Sequence, residues 1–311
     1  MPRRRKHFRS NGIAAIVTAV AVVHLLAATA FADETSATSK PIAAPASKWQ
    51  YNLFNPTPPD QMRGMDTDRP NFTNTPHTVD AGHLQIETGL FDYVNSFDHT
   101  GGTTLRGNDY AVGQFNFRLG VLNNLEMNVV INSYQLDQTR DEVSRASTRV
   151  DGFGDTFFGG KLNLWGNEGG DEVWATGLAI QPQFKFSTAR SALGNRHFEF
   201  AVGAPLLVNL PNGFHLGWMP SGLYERNSTN TGYVAGLQNS VALDRVFSGI
   251  DLYIEYAASV STEKHVKAIQ TLDVGGTYPL NDNVVLDTGF NFGLNKDSNK
   301  VEALVGISVR L

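Results

Sequence analysis

The chain has no cysteine among its 311 residues. That removes disulfides, thiolate metal ligands and cysteine nucleophiles together. It also lacks a basic surplus: Lys and Arg number 25 against 30 Asp and Glu, a formal charge of −5. Nucleic acid is therefore excluded as a partner, because neutralising phosphates takes clustered cations. His77, His83, His99, His197 and His215 show no metal-ligand spacing, so no metal and no cofactor is expected. After residue 32 no stretch carries a clear helical period.

What is present falls into distinct textures. Arg3, Arg4, Arg5, Lys6 and Arg9 form a basic cluster, and a nearly unbroken apolar run follows from Gly12 to Ala30. Ala30-Phe31-Ala32 then offers small residues where a signal peptidase reads. This pattern predicts a cleaved secretory signal over 1–32; the alternative is an uncleaved anchor, since the run approaches bilayer-spanning length. Residues 33–61 are rich in Pro, Thr, Ser and Ala, and read as a disordered periplasmic linker. Trp49 to Phe54 is the one sticky patch in it. Residues 62–82 are also polar and Pro-rich, with no core of their own.

From residue 83 to 311 the chain alternates with period two. Phe115, Phe117 and Leu119 alternate with Asn116 and Arg118, and Leu286, Phe290 and Phe292 lie opposite Asp287 and Asn291. The pattern predicts about twelve strands, each long enough to cross a bilayer at a tilt. Long polar connections alternate with tight ones such as Leu122-Asn123-Asn124, Pro211-Asn212-Gly213 and Asn281-Asp282-Asn283. Long loops on one side and short turns on the other predict an all-β fold, a transmembrane antiparallel β-barrel of outer-membrane type. Outer-membrane lipid, small-molecule solutes and the barrel-assembly machinery are the partners such a barrel requires.

Two sets of residues interrupt the pattern. Pro182, Pro205 and Pro220 fall inside predicted strands and should mark bulges. Asp92 and Asn239 fall on the lipid face by strict counting. Tyr93, Tyr110, Trp165, Trp174, Phe214, Trp218, Tyr224, Tyr233, Tyr256 and Tyr278 lie near predicted strand ends and suit interfacial girdles.

The opposite face would line a lumen. It carries Arg118, Lys161 and Lys185 early in the chain, then Glu199, Asp251, Glu255, Asp273, Asp287 and Glu302. Opposite signs across a narrow channel predict a transverse field that orients a solute with an aromatic body and a polar or anionic group. The alternative is that these charges pair and stiffen the wall.

Thr67-Asp68-Arg69-Pro70-Asn71, Thr78-Val79-Asp80-Ala81-Gly82-His83 and Gln85-Ile86-Glu87 resemble the start of a family of bacterial outer-membrane proteins catalogued under a MetA pathway of phenol degradation. The likeness continues more loosely through Leu210 to Met219 and on to the last strand. It departs at Asn71, where members carry Asp, and at Leu311, where many barrels end in Phe or Trp. The resemblance implies an outer-membrane barrel that moves small, aromatic compounds. Two other functions compete with it. A structural or adhesive barrel would work through its loops, which are modest here. An outer-membrane enzyme would need a rim constellation drawn from His197, His265, Ser187, Ser191 and Ser261; non-enzymatic transport is the expectation.

Residues 62–82 pose the remaining question. Some twenty residues of extended chain easily reach into a barrel from its mouth. Arg63, Asp68 and Arg69 supply charges to hold them there. They are read as a candidate plug, with Asp68 and Arg69 anchored to wall charges; the alternative is a linker that guides assembly.

Overall fold

Burial runs opposite to that of a soluble protein. Between Val284 and Gly293, Leu286, Phe290 and Phe292 are 37%, 46% and 43% exposed, while Asp287 and Asn291 are 4% and 5% exposed. The apolar face looks out and the charged face is enclosed. An outward surface this apolar is satisfied by lipid, and lipid in turn demands that every strand edge be paired.

The computed structural model describes residues 48–99, 103–190 and 192–311. The expected signal segment and the first part of the linker lie outside the described residues. Among the described residues no helix is long and apolar enough to cross a membrane; strands do the crossing. They are β1 (Leu84–Asp98), β2 (Leu105–Leu122), β3 (Leu125–Asp141), β4 (Ser147–Gly152), β5 (Thr156–Trp165), β6 (Thr176–Phe186) and β7 (Glu199–Gly203). The second half holds β8 (Leu206–Leu210), β9 (Phe214–Arg226), β10 (Tyr233–Phe247), β11 (Ile250–Ser261), β12 (Ile269–Asn281), β13 (Val284–Gly293) and β14 (Val301–Arg310).

All pairings are antiparallel, and β14 returns to β1, with Arg310 opposite Gln85, to close the barrel. Segments β4 and β5 form one stave broken at residues 153–155, and β7 and β8 form another broken at Ala204-Pro205. The 14 segments therefore make a closed barrel of 12 staves. Strand ends fall within a few residues of the alternation pattern.

The irregular positions resolve in different ways. Register against β14 shifts between Gly89 and Phe91, so Leu90 and Phe91 both face outward. That bulge turns Asp92 inward, where it lies 3.8 Å from Arg69. No bulge moves Asn239, which stays on the outward face opposite Pro220; nothing in the structure explains it. Of the three prolines only Pro205 breaks a stave; Pro182 and Pro220 keep their register opposite Val202 and Asn239.

Aromatic pairs mark the upper girdle. Tyr93 and Tyr110 have centroids 5.2 Å apart, and Tyr224 and Tyr233 stack at 4.6 Å. Trp218 and Tyr256 are corrections to the girdle reading: both sit well inside their strands, opposite Val241.

The described part of the linker departs from the disordered expectation. It carries short 3₁₀ turns at Lys48–Gln50 and Pro59–Gln61. The reason is pairing to the barrel base. Leu53 N–H donates to the Val121 carbonyl, Thr57 N–H to Ala81, and the buried Tyr51 hydroxyl to Gln61. Trp49 and Phe54 remain 69% and 92% exposed.

The short turns lie at the end where both Leu84 and Leu311 sit, which makes that end periplasmic. A cysteine at Ser144, in an opposite-end loop, will therefore react with an impermeant thiol reagent on intact cells. A cysteine at Asp282 will react only after the outer membrane is permeabilised. Equal labelling of the two on intact cells would overturn this orientation.

Candidate functional site

A barrel of this strand number leaves a lumen unless something fills it. Residues 62–82 lie against inward faces on both sides of that lumen. They carry no helix or strand, so their backbone groups must find partners elsewhere. Wall carboxylates supply several. Asp68 N–H donates to Glu87 at 3.1 Å, Val79 N–H to Glu126 at 2.7 Å, and Phe72 and Thr73 N–H to the two oxygens of Glu255 at 2.8 and 2.7 Å. The Thr73 hydroxyl lies 2.5 Å from Glu255 and 2.7 Å from the Ser240 hydroxyl.

Charge pairing divides by wall. On β1, β2, β3 and β5, Arg118 donates to Glu87 at 2.7 Å and to Glu126 at 2.9 Å, and Lys161 donates to Asp68 at 2.6 Å. Arg118, Lys161, Glu87 and Glu126 are each 0–1% exposed. Facing them, Arg69 reaches Asp287 at 3.2 Å. Asp68 and Arg69 are consecutive, and consecutive side chains of an extended chain point to opposite sides. One residue thus meets the cations Lys161 and Arg118, and the next meets the carboxylate of Asp287.

The base of the segment is tied down as well. Arg63 pairs with Asp80 and with Glu168, each at 3.2 Å, and Arg310 donates to the Arg63 carbonyl at 2.7 Å. Lys48 meets Glu168 at 2.6 Å. His77 Nδ1 lies 2.7 Å from Asp66. Desolvation inside the lumen works to raise the Asp66 carboxyl, whose side chain is still 43% exposed to the cavity, but the His77 ring, the Thr75 hydroxyl and the Lys161 ammonium outweigh it and hold the group at about 2.

Glycines on the wall make room. A Cβ at Gly306 would fall 2.8 Å from Arg69 Nε, one at Gly217 2.8 Å from the Thr73 methyl, and one at Gly89 3.0 Å from Arg69. A Cβ at Gly120 would strike the Asp80 carbonyl. Where the segment passes, the wall has been cut back to backbone.

Between the segment and β9–β13 a cavity of about 720 Å³ remains, lined by Asp66, His77, His215, Asp244, Asp251 and Tyr253 among others. His215 Nδ1 lies 2.8 Å from Asp244.

The residues read from the sequence as lumen charges separate into groups. Arg118, Lys161, Glu255 and Asp287 meet the segment, and Asp251 lines the cavity. Lys185 and Glu199 pair with each other at 2.6 Å, away from it. Asp273 leaves one buried oxygen without a hydrogen-bond partner. Glu302 stands opposite Asn291 and Val94. Alternation also turns Glu87 and Glu126 inward, and Asp66 belongs to the same local charge cluster as Asp68 and Arg69, but nothing in the sequence marks Ser240. Among the described residues His197 and His265 make no side-chain hydrogen bond to Ser187 or Ser261, and no group that could hold a metal ion occurs. Ser191 lies outside the described residues.

The translocator domain of the autotransporter NalP from Neisseria meningitidis is similar over 73% of this chain and 88% of its own, at 11% identity and a TM-score of 0.49. The NanC porin is similar over 73% and 100%, at 8% and 0.45. The CymD monoaromatic hydrocarbon channel is similar over 73% and 87%, at 10% and 0.36. Likeness this slight says nothing of shared activity. No match to a curated protein was found. A family model does match, over residues 67–311, so its start falls within the lumen segment and its span takes in every strand. On that match the chain belongs to the family described as "Putative MetA-pathway of phenol degradation".

Proposed function

We propose that this protein is a channel carrying small molecules across the outer membrane, and that residues 62–82 constrict its periplasmic half. The observation that carries the reading is the seating of Asp68 and Arg69 on opposite walls of one lumen, at 2.6 Å from Lys161 and 3.2 Å from Asp287. A linker that only guided assembly would need neither contact.

The solute class follows from which charges remain free. Arg118, Lys161 and Lys185 are all consumed in ion pairs. The carboxylates are in surplus: Asp109 stands directly opposite Asp137, and Glu225 opposite Val234, with no cation paired to any of the three among the described residues. A lumen with fixed negative charge attracts cations, passes neutral solutes and repels anions. Small uncharged aromatics fit both this field and the family's description. The anionic aromatic solute suggested by the sequence does not fit, because the cations that would attract it are already paired.

The Thr73 and Ser240 hydroxyls are 2.7 Å apart, and the chain has no cysteine of its own. T73C/S240C should therefore form one disulfide that locks the segment to the wall. In planar bilayers the oxidised protein will show lower conductance than the reduced protein, and deletion of residues 62–78 will raise conductance further. Identical conductance in all three, with normal heat-resistant barrels on gels, would sink the constriction.

Reversal potentials will show a preference for potassium over chloride that shrinks in E225Q/E302Q. In liposomes, neutral phenol will enter faster than benzoate. Equal entry of the two, with no ion preference, would remove the charge-based solute reading and leave the constriction intact.

A further inference from the structure

On the outer surface, above the girdle, the charge balance reverses. The outward side of β1 runs through Tyr93, Asn95 and Phe97, and that of β2 through Tyr110, Asn108 and Arg106, paired residue for residue. On β3, Arg140 lies directly across from Arg106. Like charges placed opposite each other on one sheet face are destabilising. Arg149 stands across from Gln138, two residues from Arg140 on the same face. From the other side Lys300 reaches over the Phe97 ring at 5.2 Å, and Arg106 lies over that same ring at 5.8 Å.

Four cations thus gather around one phenyl ring and one cross-strand pair. Among the described residues no ion pair involves Arg106, Arg140 or Lys300, and Arg149 has only Asp151 at 3.9 Å. This occurs in a chain of net charge −5. The lumen surplus of carboxylates lies on the other side of the wall and does not neutralise the patch.

Height identifies the occupant. Arg106 is four residues beyond the girdle residue Tyr110. At about 3.3 Å per residue and a tilt near 45°, that places it roughly 9 Å above the aromatic level. This is the depth of lipid headgroups on the loop side of the barrel, not of the acyl chains and not of open solvent. Guanidinium groups bind phosphate oxygens in a bidentate fork, and two forks side by side fit two phosphates or one multiply charged headgroup. A ring between two cations adds a flat apolar surface against which a sugar can lie.

We propose that Arg106, Arg140, Arg149 and Lys300 form a binding site for a phosphate-bearing glycolipid of the outer leaflet. The site faces lipid rather than the lumen and is independent of transport.

The test uses full-length protein extracted from outer membranes in mild detergent, with bound glycolipid counted by native mass spectrometry. R106Q/R140Q/R149Q/K300Q should carry about tenfold less glycolipid than the parent, since each such cation near a charged lipid surface contributes appreciably. R245Q is the control. Arg245 lies between Phe214 and Phe247, 4.9 Å from each ring, at the opposite end of the barrel. It should leave glycolipid content unchanged.

A second measurement uses only the parent protein, stripped of lipid and refolded. Added phosphorylated glycolipid should raise its unfolding temperature, and the enzymatically dephosphorylated glycolipid should not. The proposal falls if the fourfold variant keeps its glycolipid. It falls equally if the dephosphorylated lipid, or phosphatidylglycerol, protects as well as the phosphorylated glycolipid. Should the fourfold variant fail to fold, the titration of the parent decides alone.

Discussion

The arrangement depends on one constraint: charges enclosed by a barrel wall must meet opposite charges or hydrogen-bond donors. Taking an unpaired ion out of water costs several kcal/mol even after relaxation. On the β1–β5 side the wall is balanced by itself, with Arg118 and Lys161 against Glu87 and Glu126. On the other side it is not. Asp287, Asp92 and Glu255 have no cation on the strands to meet them, and what they receive comes from residues 62–82: the Arg69 guanidinium for the first two, and two backbone N–H groups and a hydroxyl for Glu255. The wall leaves acceptors where the segment brings donors. This also explains how a stretch with no core becomes ordered, since its backbone is satisfied by side chains of the barrel.

The glycines give the same complementarity in shape. An inward-facing side chain at Gly306, Gly217 or Gly120 would collide with Arg69, Thr73 or Asp80. Glycine weakens a strand, so its presence at these places calls for a compensating contact. The contact is the segment.

Much of this was legible in the sequence because period two leaves few choices. Once Leu286, Phe290 and Phe292 are outward, Asp287 must be inward. Staves, turn side and closure follow from such counting together with loop length. The Asp92 bulge was signalled only by two successive apolar residues, Leu90 and Phe91, both needing lipid. The sequence offers Asp68 and Arg69 as candidate anchors, because a charged pair inside a coreless segment has to go somewhere. It does not offer their partners, since which wall charge lies nearest depends on the path of a chain without periodicity. The role of Glu255 was least legible: its partners are the backbone N–H groups of Phe72 and Thr73, and a backbone N–H has no signature in sequence.

Anchoring by charge rather than by apolar contact is itself a consequence of the fold. Most apolar side chains of the staves face lipid and only a few, such as Tyr253, Val285 and Leu304, turn inward, so the lumen offers a filling segment little apolar surface to pack against. What it offers is directional: carboxylates, cations and hydroxyls at fixed positions. A greasy segment could lie on such a wall in many registers. The sequence Asp68-Arg69 can lie in one, because reversing it would set Asp68 against Asp287 and Arg69 against Arg118. The same polar wall remains wettable, and water can take over each hydrogen bond that the segment releases. A segment held this way is specific in place yet separated from a wetted state only by an exchange of partners. The proposed constriction requires both properties, and a sealed apolar core would supply neither.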